Sequence, residues 1–192
     1  MTRRGFGRRL ARGGMAAALA VLLAACAVPP KLVGRGGPSF SRNGRFAVNV
    51  SGGANGPHAV QGGFSWLDEG GELRLDLANP LGSTLARIEV TPAGATLRRA
   101  DGSREAAQNA DALAAQVLGT PIPVEGLRDW LRGRTDGKAH NLNTNASGRP
   151  ESFVENGWEV RLARYDAVGP RLLVMQRDDA GARISVRLAV DS

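Results

Sequence analysis

The chain has 192 residues, of which 42% are hydrophobic, 22% charged and 5% aromatic. This composition suits one ordinary domain and excludes a collagen-like chain, long disorder and a polytopic membrane protein. The formal net charge is +7, but residues 1–25 contain five arginines and no acid. The remaining residues are nearly balanced, with 20 basic and 18 acidic groups. Charge therefore gives little support for a nucleic-acid partner, and we expect none.

The amino-terminal segment is typical of an export signal. Its arginine-rich start is followed by an apolar run from Met15 to Ala25, MAAALAVLLAA. Eleven residues are too few to cross a bilayer of about 30 Å, which takes roughly 20. A basic region followed by a short apolar region predicts a signal peptide over residues 1–25. The run Thr2–Phe6, TRRGF, also resembles a twin-arginine signal, so either the general or the twin-arginine export route remains open.

Cys26 follows this signal directly. Leu23-Ala24-Ala25-Cys26 resembles a bacterial lipobox, which implies cleavage before Cys26 and covalent diacylglycerol and acyl lipid on its thiol. A small buried hydrophobe at the end of an anchor helix is the alternative for this residue. Cys26 is the chain's only cysteine, so no intrachain disulfide can form. Residue 27 is alanine rather than the aspartate that marks inner-membrane retention, which favours the outer membrane.

A lipid anchor predicts that the protein is attached to a membrane without spanning it. We expect it on the periplasmic face of the outer membrane. Residues 31–43 are rich in Gly, Ser, Arg and Pro. We therefore interpret residues 26–43 as the acylated cysteine and a flexible tether, leading to a folded domain over residues 44–192.

The folded domain shows the period-two pattern of strands with one buried face. Glycine-rich breaks separate these runs, and Asn156-Gly157 predicts a type I′ hairpin turn. The clearest alternations involve Phe46, Val48 and Val50; Leu73, Leu75 and Leu77; Trp158, Val160 and Leu162; and Ile184, Val186, Leu188 and Val190. The spacing of these runs favours an antiparallel meander.

The middle of the chain predicts two short helices, over residues 109–118 and 124–132, separated by Pro121-Ile122-Pro123. The predicted order is five or six strands, a helical insert and about four further strands. The fold class is therefore mainly β with a helical insert, and a curved sheet with helices across its open side fits this order.

Residues for catalysis or metal binding are scarce. The two histidines, His58 and His140, lie outside any metal-ligand spacing, and there is no GxSxG, GxGxxG or P-loop motif. The acid pairs Asp68-Glu69 and Asp178-Asp179 sit at turn signals, which favours solvated turns over catalytic carboxylates. We therefore expect no enzyme, no catalytic residue, no metal and no cofactor other than the covalent lipid.

The inward strand positions are almost all aliphatic, and this pattern has two interpretations. One is an ordinary filled core; the other is a cavity for acyl chains, which aliphatic walls suit because they lock neither headgroup nor chain length. The candidate cavity residues are Phe46, Val48, Phe64, Trp66, Leu75, Leu77, Ile88, Leu113, Val117, Leu127, Trp130, Leu131, Trp158, Val160 and Leu173.

A set of motifs then resembles a known family. In order, the chain carries NPLGST at 79–84, LGTPIPV at 118–124, LRDWLRG at 127–133, NGWEV at 156–160 and Tyr165. In this order, behind a lipobox, the motifs resemble the LolB family of outer-membrane lipoproteins. The resemblance covers about residues 44–190. It implies an incomplete antiparallel β-barrel, lidded by short helices and enclosing an apolar cavity, as in the LolA and LolB proteins.

The resemblance also implies function and partners. The family receives lipoproteins from the periplasmic carrier LolA and inserts them into the outer membrane. Its protruding loop carries a leucine needed for insertion, which corresponds to Leu81, flanked by Pro80 and Gly82. We expect a monomer whose partners are LolA, the acyl chains of lipoprotein cargo and outer-membrane phospholipid.

Three points stay open at this stage. Arg128 and Arg132 either meet an acidic carrier surface or form the solvated side of a helix. A periplasmic scaffold or assembly lipoprotein with a filled core, or an anchored hydrolase, is the alternative function. A cavity of several hundred Å³ under the helices would favour cargo binding, and a solid core would favour the scaffold.

Overall fold

The computed structural model describes residues 39–53 and 56–191. The predicted signal peptide, Cys26 and most of the expected tether lie outside these residues. All described residues belong to one compact unit. The first six strands are β1 (Phe40–Gly52), β2 (His58–Glu69), β3 (Glu72–Ala78), β4 (Thr84–Thr91), β5 (Gly94–Arg99) and β6 (Arg104–Ala107). Helices α1 (Ala110–Leu118) and α2 (Val124–Trp130) follow, and then β7 (His140–Thr144), β8 (Pro150–Glu155), β9 (Trp158–Tyr165), β10 (Pro170–Asp179) and β11 (Ala182–Val190).

The strands form one antiparallel sheet with the order β6-β5-β4-β3-β2-β1-β11-β10-β9-β8-β7. The two halves of the chain are joined where β1 pairs with β11, for example Val48 with Val186. The edge strands β6 and β7 do not pair with each other, so the sheet stays open. The predicted fold class, mainly β with an unclosed antiparallel sheet and a helical insert, is confirmed.

The alternation of apolar and polar residues along each strand identifies which face of the sheet is buried. Leu73, Leu75 and Leu77 of β3 are buried, while the residues between them are partly exposed. The predicted turn at Asn156-Gly157 has φ values of 51° and 78°, the left-handed conformation that a type I′ hairpin requires at both positions.

The two helices cover part of the inner face of this sheet. Helix α1 begins after Asn109, whose side chain accepts a hydrogen bond from the Ala112 N–H, and ends at Gly119 with φ of 73°. Helix α2 begins after the Pro121–Pro123 break. The buried side chains of both helices join the hydrophobic core of the sheet, among them Leu113 and Leu127. Within the described residues, neither helix is long and apolar enough to cross a membrane.

Two expectations about chain organisation are corrected. Strand β1 begins at Phe40, so residues 40–43 belong to the sheet rather than to the tether. Phe40 and Arg42 are buried there, and Arg42 pairs with Asp166. Five strands follow the helices instead of about four, because β7 is exposed along its length and carries no apolar alternation that could have indicated it.

Candidate functional site

An apolar cavity lies between the sheet and the helices. Its volume is about 40 Å³, and no polar surface lines it. The strand residues around it are Phe46, Val48, Phe64, Trp66, Leu75, Leu77, Val186 and Leu188, and the helical segment contributes Ala114, Leu118, Ile122, Val124, Leu127 and Leu131. The cavity therefore lies under the helices at the centre of the sheet, where β1, β2, β3 and β11 adjoin.

The cavity is far smaller than the several hundred Å³ expected for a chain-binding void, so by that criterion this conformation is closer to the nearly filled core of the scaffold alternative. One water needs about 10–15 Å³ of such space, so the 40 Å³ present would hold roughly three water-sized groups. The side chains of both helices occupy the rest of the concave face, including Leu127 and Leu131. An acyl chain of about 16 carbons does not fit into the space present in this conformation.

Eight of the fifteen predicted cavity residues line this cavity: Phe46, Val48, Phe64, Trp66, Leu75, Leu77, Leu127 and Leu131. The other seven do not line it, namely Ile88, Leu113, Val117, Trp130, Trp158, Val160 and Leu173. All of these except Val117 are buried in the core, and Val117 is only partly buried. Trp130, for example, packs edge-on against Phe153 with ring centroids 5.9 Å apart. Alternation identifies the inward face, but it does not show which part of that face lies beneath the helices.

Six lining residues were not predicted: Ala114, Leu118, Ile122, Val124, Val186 and Leu188. Val186 and Leu188 belong to an alternating strand, so their inward direction was visible in the sequence. Their place in the cavity depends on the pairing of β11 with β1, which joins positions more than 130 residues apart. Ala114 lines the cavity because it lies on the buried side of α1.

Asp68, at the end of β2, attaches helix α2 to the sheet. Arg128 donates two hydrogen bonds to its carboxylate, from Nε at 3.1 Å and Nη2 at 2.9 Å. Arg132 donates a third from Nη2 at 2.8 Å. Burial opposes ionisation of Asp68, but the hydrogen bonds from both arginines outweigh it and lower the pKa of this carboxyl.

This arrangement corrects two expectations. Arg128 and Arg132 have side chains only 23% and 19% exposed, so they are not simply the solvated side of a helix. Their guanidinium groups bind an acid of the same domain, and contact with a carrier stays a prediction. Asp68 is buried, not a solvated turn residue. Asp178 does conform to that expectation, since it is exposed and pairs with Arg183.

The start of β1 is fastened to the same end of α2. The Arg132 guanidinium stacks on the Phe40 ring, 4.1 Å from its centroid. Arg42 binds Asp166 through two hydrogen bonds of 2.7 and 2.9 Å. The bond from Arg42 strongly lowers the pKa of Asp166. We call Asp68, Arg128, Arg132 and Phe40 the lid latch, because these residues connect α2 to the edge of the concave face.

Leu81 lies at the tip of the turn between β3 and β4, and its side chain is 92% exposed. The Asn79 side chain accepts hydrogen bonds from the N–H groups of Leu81 and Ser83, at 2.9 and 3.0 Å. Gly82 has φ of 86°, which allows the chain to reverse. Pro80 restricts the turn further. The sequence-based expectation of a protruding leucine agrees with this geometry, because the turn's hydrogen bonds hold Leu81 outward.

The candidate catalytic residues do not form a site. His58 and Asp179 line one groove of about 220 Å³, but no hydrogen bond joins them, and Asp179 pairs with Arg177 instead. His140 is exposed on the edge strand β7. In the described part of the chain, no three His, Cys, Asp or Glu side chains are arranged to hold a metal ion.

Comparison with known proteins decides the family. Residues 38–192 match the family described as outer membrane lipoprotein LolB. The chain belongs to the LolB family. An outer-membrane lipoprotein LolB from Bordetella petrii is 53% identical over 182 residues, which cover 93% of this chain and 92% of that protein. The LolB of Cupriavidus metallidurans is 42% identical over 159 residues, with 77% of each chain covered.

Among solved structures, a LolA-superfamily protein from Nitrosomonas europaea aligns with a TM-score of 0.44 and 8% identity, covering 81% of this chain and 86% of that one. Membership of the LolB family confirms the resemblance seen in the motifs. It identifies the chain as an outer-membrane lipoprotein and not an enzyme.

Proposed function

We propose that this LolB-family protein accepts lipoproteins from the periplasmic carrier LolA and inserts them into the outer membrane. The observation that carries the proposal is the wholly apolar lining of the cavity between the sheet and the helices. Acyl chains are ligands that such a wall can bind, because it offers contact area without demanding a hydrogen bond.

The size of the cavity assigns a role to the helices. A chain of about 16 carbons gains of order 12 kcal/mol when it is taken fully from water. A chain that arrives from the carrier has already realised most of this gain, so it does not by itself drive the entry step. Side chains displaced from the sheet, such as Leu127 and Leu131, are instead compensated by contacts between the acyl chain and the same apolar wall. Acyl chains therefore enter as α2 moves away from the sheet, and the lid latch opposes that movement.

Transfer from the carrier to this protein must be direct. Chains that gain of order 12 kcal/mol by leaving water are not released into the periplasm on a useful timescale. The direction of transfer then follows from differential affinity, with the carrier weaker than the receptor and the receptor weaker than the membrane.

Leu81 acts in the second step, delivery to the membrane. A leucine that is 92% exposed gains roughly 1.5–3 kcal/mol when it enters an acyl-chain layer. The side chain lies on a turn outside the cavity lining, so insertion and cargo binding use different residues. Lipid on Cys26 supplies the permanent anchor, and the residues between Cys26 and β1 form the tether.

The test is a transfer assay with the acylated protein, lipoprotein-loaded LolA and liposomes. We expect Leu81→Glu to accept cargo normally and to deliver it about ten-fold to a hundred-fold less efficiently. Leu142→Glu is the matched control, since Leu142 is an exposed leucine on the distant strand β7. If both variants deliver cargo equally poorly, or if Leu81→Glu no longer accepts cargo from LolA, Leu81 does not act specifically in delivery to the membrane.

The cavity is tested by filling it. Ala114 is buried and lines the cavity, whereas Ala115 on the same helix is partly exposed and does not. We expect Ala114→Leu to reduce acceptance of cargo and Ala115→Leu to leave it unchanged. If the unmodified protein takes no cargo from LolA, the proposed function is wrong and the scaffold alternative gains support.

A further inference from the structure

A second depression lies beside the Leu81 turn. It is lined mostly by outward-facing residues of β1, β2, β3 and β11, and it also reaches Phe46, which borders the apolar cavity. It is a groove of about 530 Å³, and Asn79, Pro80 and Gly82 of the turn form one side of it. Its other residues include Arg45 and Ala47. These two flank the buried Phe46 along β1, so their side chains point away from the cavity.

Small residues leave this groove open. Besides Ala47, its walls include Gly63, Ala78 and Ala189 from three further strands. A Cβ added at Gly63 would meet only ordinary contacts, the nearest being 3.7 Å from the Gly44 carbonyl oxygen. A side chain at that position could therefore fit sterically, and its absence keeps the surface accessible close to the backbone.

Two arginines, Arg45 and Arg187, lie in the groove and are exposed. Arg187 pairs with Ala47 and Arg45 pairs with Ala189, so the two arginines occupy diagonal positions on β1 and β11. Side chains in such positions are about 7 Å apart at their Cβ atoms, which is within reach for long residues.

Neither guanidinium has a hydrogen bond or ion pair among the residues that the structure describes. Elsewhere on the same face, the arginines of β4 and β3 meet carboxylates, as Arg87 does with Asp76. The one acid in the groove, Asp191, follows Ala189 by two positions and is therefore also diagonal to Arg45, but it forms no ion pair with either arginine. Two like charges held close together repel, and a bound anion would remove that repulsion.

We propose that this groove binds the phosphate of an anionic phospholipid headgroup while Leu81 is inserted in the bilayer. This inference rests on the proposed function, because the insertion of Leu81 brings the groove to the membrane. The turn that carries Leu81 is also a wall of the groove, so a leucine among the acyl chains places the two arginines at the level of the phosphates. Arginine suits this role because its planar fork of N–H donors matches phosphate oxygens.

The test follows the loop in proteoliposomes that contain the intact acylated protein. Ser83→Cys carries an environment-sensitive fluorophore, since the turn uses only the backbone N–H and carbonyl of Ser83. One set of liposomes is phosphatidylcholine alone, and in the other a third of the lipid is phosphatidylglycerol. With Arg45 and Arg187 unchanged, we expect the labelled loop to insert more strongly into liposomes that contain phosphatidylglycerol than into phosphatidylcholine alone.

The decisive comparison is between two double variants of equal charge. Arg45→Gln with Arg187→Gln should lower the insertion equilibrium on phosphatidylglycerol by about 25-fold, or about five-fold for each arginine. Arg98→Gln with Arg104→Gln, at an exposed pair of positions on β5 and β6, should leave it nearly unchanged. Melting temperatures of both variants check that the fold is intact.

The outcomes separate the two proposals. If the groove variant keeps its preference for phosphatidylglycerol, or if the control loses as much, the groove does not bind the headgroup and the inference is overturned. If the label on the parent protein enters neither membrane, the insertion step of the proposed function fails, whatever the arginines do.

Discussion

Replacing Asp68 by asparagine should weaken the attachment of helix α2 to the sheet. The carboxylate of Asp68, 8% exposed, accepts three hydrogen bonds from two arginines whose side chains are at most 23% exposed. Exposed ion pairs contribute about 0.2–1 kcal/mol, and breaking a buried pair costs about 3–5 kcal/mol. The partial exposure of this latch places the loss between these limits, at about 2–3 kcal/mol.

The substitution is close to isosteric, so the loss arises mainly from the charge and the hydrogen bonds. Urea denaturation should give a free energy of unfolding lower by about 2–3 kcal/mol at pH 7. The melting temperature should fall by about 5–10 °C for a domain of this size. Hydrogen exchange should also show faster opening of α2 than of the central strands β1 and β2.

The effect should depend on pH in a defined direction. The pKa of Asp68 is lowered in the folded protein, so its stabilising contribution is present above its ordinary pKa of 3.8 and is lost as pH falls through the folded value. The difference in stability between the parent and Asp68→Asn should therefore shrink in acid and stay constant at neutral pH.

Asp178→Asn provides the matched control. Asp178 also accepts two hydrogen bonds from one arginine, Arg183, but both side chains are about two-thirds exposed or more. We expect no measurable loss of stability there. Asp68→Asn behaving like this control would refute the latch. If the latch holds as described, Asp68→Asn should also take up acyl cargo faster, because α2 separates from the sheet more easily.

Two further predictions concern Gly62, which has no space for a side chain, and Glu155, whose carboxyl group is buried. Gly62→Ala should destabilise the protein by about 3 kcal/mol or more, because its Cβ would lie 1.9 Å from the Ala78 carbonyl oxygen, whereas the adjacent Gly63→Ala should be nearly neutral in the same denaturation assay. Burial raises the pKa of Glu155, although its carboxylate accepts a hydrogen bond from the Trp130 indole. The folded protein should therefore lose stability as pH rises from 4.5, the ordinary pKa of this carboxyl, through the higher pKa of the folded state. Glu155→Gln should remove that part of the pH dependence. The measurement is the melting temperature of both proteins between pH 4 and 7. A difference in melting temperature that stays constant over this range would contradict the assignment.

Local patterns anticipated most of the fold. The alternation of Leu73, Leu75 and Leu77 predicted the buried side of β3, and Asn109 and Gly119 marked the limits of α1. These features depend on neighbouring residues, because a strand repeats every two residues and a helix about every 3.6. Strand β7 was missed for the same reason, since an exposed edge strand without apolar residues leaves no periodic signal.

The candidate site was anticipated unevenly. From the residues alone, Leu81 could either protrude or fold back beneath the sheet, and the family resemblance favoured exposure. In the structure, Asn79 and Gly82, both within three residues of Leu81, hold the turn that exposes it. The role of Asp68 could not be read in this way, because its partners Arg128 and Arg132 lie 60 and 64 residues further along the chain. A carboxylate at a turn signal looks solvated until a helix from elsewhere packs over it.

The amino-acid sequence by itself indicated the directions of the strand side chains, the two helices and the family, and it predicts an export signal. Tertiary structure alone decided which inward residues surround the cavity and how far the helices fill it, since a void is the space left between elements that meet from distant parts of the chain. It also decided that Arg128 of α2 and Arg132 just after it face Asp68, because the pairing of β2 within the sheet and the packing of α2 across it bring those charges together. Sequence periodicity indicates the direction of a side chain, whereas its contacts depend on how the elements pack in the tertiary structure.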